Sequence, residues 1–229
     1  MTIQTRPSAF IFDLDGVITD TAELHYVAWR ALALDLGIDF NESHNEQLKG
    51  LSRMDSLERI LAMSTDQFDA QEKRRMAERK NAHYLALGEK MTPADLLPGA
   101  LEALDAARSA GFRIALASAS KNAVLVLERL GIARAFDHVV DSNHIQNSKP
   151  HPEVFLAAAS ALGVQPHDCV GIEDAVGGVQ AIHAAGMFSV GVGDPQMLAL
   201  ADQVIPDLRH FVPSNYLRGA RRLRWVDSA

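Results

Sequence analysis

The chain has 229 residues, which is large for one compact domain and small for two, so a core with an insertion is the expected plan. With 48% hydrophobic and 22% charged residues it has the material for a packed interior. A net charge of −7 and a pI near 5.7 exclude a general nucleic-acid binder, and any anionic substrate must be met by positive charge gathered locally.

The N-terminal MTIQTRPS has no apolar signal core and no run of about 18 apolar residues occurs, so a cytoplasmic protein without a membrane partner is expected. The single cysteine, Cys169, cannot close an internal disulfide. It lies in an apparent strand and reads as a buried, non-catalytic thiol in a reducing compartment.

The first element lies within residues 8–21, SAFIFDLDGVITDT. Apolar residues 9–12 run straight into two aspartates one residue apart, with Gly16 close behind. That is the pattern of a buried strand that stops where a site begins. Side chains two apart in an extended chain point to the same side, so Asp13 and Asp15 present two carboxylates to one crevice. Like charges at that spacing need compensation, which a hard divalent cation such as Mg²⁺ gives through oxygen ligands. Taken alone, the same residues would also suit an ordinary helix cap or turn.

Residues 22–36 have helical spacing, with Leu24, Val27, Ala28, Ala31 and Leu34 as the predicted apolar stripe and Gly37 as the stop. From there to Met91 the pattern stays helical, with amphipathic stretches at 52–63 and 69–87 and no convincing strand. Residues 20–91 are therefore expected to form an α-helical domain inserted into an α/β core made of 1–19 and 92–229. Beyond Pro98, helices at 100–110, 123–130, 153–162 and 176–185 alternate with strands at 112–117, 138–140, 169–172 and 188–192. Such alternation predicts a Rossmann-like parallel sheet with helices on both faces and ligands outside the carboxyl ends of its strands.

Polar residues gather where that rule places them. Asp13 and Asp15 follow the first strand, and Ser118, Ala119, Ser120, Lys121 and Asn122 follow FRIALA. Lys149 comes after the third strand, and Glu173 and Asp174 end the fourth. The carboxylates of Asp13, Asp15, Glu173 and Asp174 could hold Mg²⁺. Ser118, neighbouring N–H groups and Lys149 could hold a phosphoryl oxyanion. A metal and a lysine would offset the repulsion between an attacking carboxylate and a phosphate dianion.

DLDGVITDT, LASASKN, SKP and GIEDA, in this order, resemble the four signature motifs of the haloacid dehalogenase-like superfamily of phosphotransferases. The helical insertion resembles that superfamily's small α-helical cap, and FDLDGVITDTAELHYVAW, NEQLKGLSRMDSL and ERKNAHY resemble its sugar-phosphate mutases. The resemblance implies that Asp13 is the nucleophile that becomes an aspartyl phosphate. It makes Asp15 the general acid/base, with its backbone carbonyl on Mg²⁺, and has Asp174 and Glu173 complete the metal site. Ser118 and Lys149 would bind the transferring phosphoryl group, and Ala119 to Asn122 the substrate. A cis Lys149-Pro150 bond is implied as well. The implied reaction is a Mg²⁺-dependent exchange of β-D-glucose 1-phosphate and glucose 6-phosphate through β-glucose 1,6-bisphosphate, by a monomer without a nucleic-acid partner. The alternative is a sugar-phosphate phosphatase on the same fold. The motif GIEDA departs from the family in Ala175, often Ser there, and Gly177-Gly178 add two helix-weakening residues. The ends MTIQTRPS and RGARRLRW lie outside the resemblance, and arginines 218, 221, 222 and 224 read as a surface helix end.

A mutase needs a second phosphate site, and the inserted helices offer one. Lys80 lies four residues from both Met76 and Tyr84, so it shares their apolar face and needs an anionic partner. Arg53, in the loop 50–53, could clamp a phosphate bidentately, with Lys49, Gly50, Ser52 and Ser56 shaping the pocket. Thr21 and His25, near the hinge, are expected to link closure of the cap to alignment of Asp15. Trp29 is expected to pack the cap. The basic run 71–80 is interleaved with Glu72 and Glu78 and lacks an aromatic platform, so it reads as a solvated helix face.

Overall fold

A computed structural model describes residues 8–216, and their apolar runs form six parallel strands. These are β1 (Ala9–Phe12), β2 (Arg113–Leu116), β3 (His138–Val139), β4 (Cys169–Glu173), β5 (Phe188–Val192) and β6 (Gln203–Ile205), in the spatial order β3-β2-β1-β4-β5-β6. Central β1 pairs Phe12 with Leu116 of β2 on one side and with Ile172 of β4 on the other. The chain leaves β1 in one direction and returns to β4 on its far side, so a crevice opens beyond the carboxyl ends of these two strands.

Every residue of β1 is apolar because both faces of the sheet are covered. Phe10, Phe12, Ile114 and Leu116 pack against α5 (Ala100–Ser109) and α6 (Ala123–Arg129). Ala9, Ile11 and Ala115 pack against α7 (Glu153–Leu162) and α8 (Val176–Ala184). Strands β1 and β5 and helix α7 fall on the predicted residues, and β4 extends one residue further to include Glu173. β6 was not predicted: it is three residues, QVI, of which only Ile205 is fully buried. The Lys149-Pro150 bond is cis.

Between β1 and β2 lie α1 (Ala22–Asp35), α2 (Glu42–Glu46), α3 (Arg53–Leu61) and α4 (Ala70–Gly88). They hold their own apolar cluster, built on Trp29, Leu32, Phe40, Leu57, Ile60 and Ala77. The predicted stripe of α1 is corrected here. Ala28, Trp29, Leu32 and Ala33 are buried, while Leu34 is 76% exposed. The run ALALDL is apolar nearly all round, so spacing alone picks no face, and bulky Trp29 sets which side turns inward. Arg53, expected in a loop, is the first residue of α3, whose N-cap is Ser52.

No helix among the described residues is long and apolar enough to cross a membrane. Cys169 is a buried free thiol whose pKa is pushed up to about 12 by burial and by Asp168. The arginines at 218, 221, 222 and 224 lie outside the described residues.

Candidate active site

The Asp13 N–H donates to the Ile172 carbonyl at 2.9 Å, so the β1–β4 ladder runs one residue past β1 and delivers the Asp13 carboxylate to the crevice. The chain then turns through Gly16, whose φ is 76°. A Cβ at Gly16 would collide with the Asp174 carboxylate, so the turn and the close approach both require glycine.

Behind Asp13, Lys149 Nζ donates to Asp13 Oδ1 at 2.6 Å and to Glu173 Oε2 at 2.7 Å. Both Lys149 and Glu173 are almost fully buried. Burial opposes charge on Lys149, but Asp13 and Glu173 outweigh it and hold the ammonium protonated. Burial and then Asp13 push the Glu173 carboxyl well upward, and raise Asp174 to about 6. Carboxylate oxygens of Asp13, Glu173 and Asp174 lie within 4.8 Å of one another. An all-oxygen, anionic donor set of this size fits a hard cation such as Mg²⁺, and the upward shifts of Glu173 and Asp174 record the burial and mutual repulsion that such an ion relieves. Gly178 lets Glu173 sit there, because a Cβ at that position would overlap the Glu173 carboxyl group, whereas a Cβ at Gly177 would meet nothing.

The fourth sequence-predicted carboxylate points elsewhere. Asp15 accepts a hydrogen bond from the Thr21 hydroxyl, and its side chain is outside the three-carboxylate cluster. Burial and then Asp13 raise its pKa to about 7, against the opposing effect of the Thr21 bond.

Above these groups is a cavity of about 360 Å³. Asp13, Asp15 and Asp174 line its sheet side, and Ala119, Ser120, Lys121 and Asn122 line it from the loop after β2. Thr21, His25, Lys49, Gly50, Arg53, Ser56 and Lys80 line it from the inserted helices. Four expected residues do not reach it. Ser118, Lys149 and Glu173 are buried behind the wall, with Ser118 Oγ accepting the Ser120 N–H at 3.0 Å. Ser52 faces outward, where its N–H donates to Ser148 Oγ.

Lys80 is only 3% exposed, so its stem does not snorkel to water. The expected anion is replaced by His25 Nδ1 at 2.8 Å and by the faces of Trp29 and Tyr84, 4.5 and 5.0 Å from Nζ. Burial, then Arg53, lower its pKa to about 7. Burial, Lys80 and Arg53 hold His25 well below its usual range, so its neutral ring accepts from Lys80. Trp29 packs the helices as expected and also forms part of the cavity wall. Lys49 reaches across to Asp174 at 3.4 Å, with Glu46 at 3.1 Å on its other side. Sequence reasoning missed Asn81, which accepts from Asn122 Nδ2 at 2.9 Å, because only folding brings the two together.

A carboxylate at the end of the central strand, braced by a buried lysine and faced by two acidic neighbours from the adjoining strand, defines a class of phosphate-handling fold. The chain belongs to the haloacid dehalogenase-like hydrolase family, whose sequence pattern matches residues 7–186. It is similar to Beta-phosphoglucomutase of Bacillus subtilis (strain 168), with 47% identity over 199 residues, 86% of this chain and 88% of that protein. A crystal structure of beta-phosphoglucomutase from Clostridium difficile superposes with a TM-score of 0.86 at 51% identity, covering 88% of this chain and 91% of that one. Hexitol phosphatase B of Escherichia coli (strain K12) is 34% identical over 190 residues, 82% of this chain and 84% of that protein.

Proposed function

We propose that the chain interconverts β-D-glucose 1-phosphate and β-D-glucose 6-phosphate, the activity of a β-phosphoglucomutase, with Asp13 carrying the phosphoryl group. The observation that carries this reading is a single cavity with the Asp13 cluster on one wall and Arg53 and Lys121 on others. A bisphosphate has two anionic ends and needs both, whereas a phosphatase needs only one. The greater identity to the mutase relative, 47% against 34% for the phosphatase, points the same way.

In the proposed cycle an Asp13 oxygen bonds to phosphorus of the bisphosphate and the phosphorus–sugar oxygen bond breaks. Asp15 gives the departing oxygen its proton, and takes one back when the other hydroxyl of the turned sugar attacks the aspartyl phosphate. A pKa of about 7 suits it for both directions. To reach the sugar it must leave Thr21, which couples its alignment to the hinge beside His25. Lys149 and Ser118 hold the transferring group from behind, while Arg53, Ser120, Lys121 and Asn122 hold the far phosphate, with Lys80 beside the sugar. Asp13, Asp174, Glu173 and the Asp15 carbonyl would hold Mg²⁺, which would supply positive charge between carboxylate and phosphate. Residues 20–91 serve as a cap over a core of 1–19 and 92–229, in a monomer working in the cytoplasm on small sugar phosphates.

The test supplies β-glucose 1-phosphate, Mg²⁺ and a trace of the 1,6-bisphosphate, and reads glucose 6-phosphate with a coupled dehydrogenase. Asp13→Asn should lose more than about a thousandfold in kcat. Full turnover in a strong chelator, or phosphate release outpacing isomerisation, would reject the proposal.

A further inference from the structure

Helices α3 and α4 close their N-termini differently. In α4 the closure is internal: the Asp69 N–H donates to Glu72 Oε2 at 2.7 Å, and Asp69 Oδ1 accepts the Glu72 N–H at 2.8 Å. In α3, Ser52 Oγ accepts the Asp55 N–H at 3.2 Å, but the Ser52 N–H donates to Ser148 Oγ at 2.9 Å. That hydroxyl in turn donates to Asp55 Oδ2 at 2.5 Å. Asp is one methylene shorter than Glu, and a hydroxyl from the loop after β3 fills the gap. Ser148 immediately precedes Lys149, whose side chain a methyl on Gly50 would touch at 3.4 Å.

Among the described residues, three other polar contacts cross between the inserted segment and the sheet side: Thr21 with Asp15, Lys49 with Asp174, and Asn81 with Asn122. Each has at least one partner that lines the cavity, so each is open to disturbance by whatever enters it. Ser52, Asp55 and Ser148 do not line it. Their contact therefore involves no side chain that a ligand in the cavity would touch.

We propose that Ser148 and Asp55 are positioning residues that latch the closed cap onto the loop carrying Lys149, and so decide whether the aspartyl phosphate meets sugar or water. This rests on the mutase reading above. In hydrolysis a water oxygen bonds to phosphorus, the bond to the Asp13 oxygen breaks, inorganic phosphate leaves, and Asp15 takes the proton. A closed cap keeps that water out. The hydrogen bonds are partly exposed, which makes the latch weak enough to reopen while the bisphosphate turns; losing it shifts the closed population by about tenfold.

Asp55→Glu separates latch from helix cap. The longer carboxylate reaches its own Ser52 N–H, as Glu72 does for Asp69, so α3 keeps its cap while Ser148 loses its partner. Ser148→Ala removes the same contact from the other side. Glucose 6-phosphate formation and inorganic phosphate release are measured in one reaction containing β-glucose 1-phosphate, Mg²⁺ and a trace of the 1,6-bisphosphate. Both variants should melt within roughly 4 °C of wild type, with the ratio of phosphate release to isomerisation raised about five- to tenfold. An unchanged ratio in Asp55→Glu, or equal losses in both rates, overturns the latch. A wild-type enzyme that releases phosphate faster than it isomerises overturns the mutase reading instead, and the latch's role with it.

Discussion

Lys80 is held almost fully buried against two aromatic faces and a neutral histidine, an expensive place for an ammonium group. Its pKa falls from 10.5 to about 7. The unfolded chain therefore binds the extra proton between these values, and stability rises with pH across that window. The penalty is complete below about pH 7 and fades toward 10.5. Lys80→Met should be about 1–4 kcal/mol more stable than wild type at about pH 6, with the gap closing near pH 10, read from urea midpoints. The same variant should also bind the proposed sugar phosphate more weakly, because Lys80 lines the cavity beside the sugar in that reading. An equal stability gap at both pH values would mean that Lys80 is not the strained group it is taken to be here.

At the scale of elements, α1 offers a direct comparison. Leu32 is buried in the cluster with Trp29, and Leu34 lies on the solvent side. Leu32→Ala should cost about 2–5 kcal/mol and Leu34→Ala within roughly 0.5 kcal/mol, measured by chemical denaturation. The sequence pattern would have ranked Leu34 with the core. What sequence made legible was whatever local pattern encodes: the apolar runs of β1 and β5, the capped helix α7, and the strand ends carrying Asp13, Ser118, Lys149 and Asp174. It failed where the deciding fact is a neighbour in space. β6 is too short to show a period, Ser52 turns away from the cavity to meet Ser148, and Asn81 gains meaning only beside Asn122. Gly178 was visible only as a helix-weakening residue until the Glu173 carboxyl group occupied the space beside it.

For the molecule as a whole, three carboxylates held within 4.8 Å of one another carry more negative charge than the Lys149 ammonium alone balances, and a divalent cation would relieve the remainder. Mg²⁺ at about a hundred times its dissociation constant should raise the melting temperature by roughly 5–10 °C over a chelator-treated sample. Asp174→Asn should remove most of that shift in calorimetry, and an undiminished shift would place the ion elsewhere. The sheet order has a consequence for how the protein is made. Ala9 pairs with Arg113 and with Cys169, both of which are synthesised long after it. The middle strand must wait with both its edges open until β2 is made and with one still open until β4 follows, whereas α1 to α4 can settle against one another early, since their partners arrive together. A nascent chain halted before Cys169 would expose an unpaired edge of β1, whose four residues are all apolar, and such an edge is open to pairing with other chains until β4 covers it.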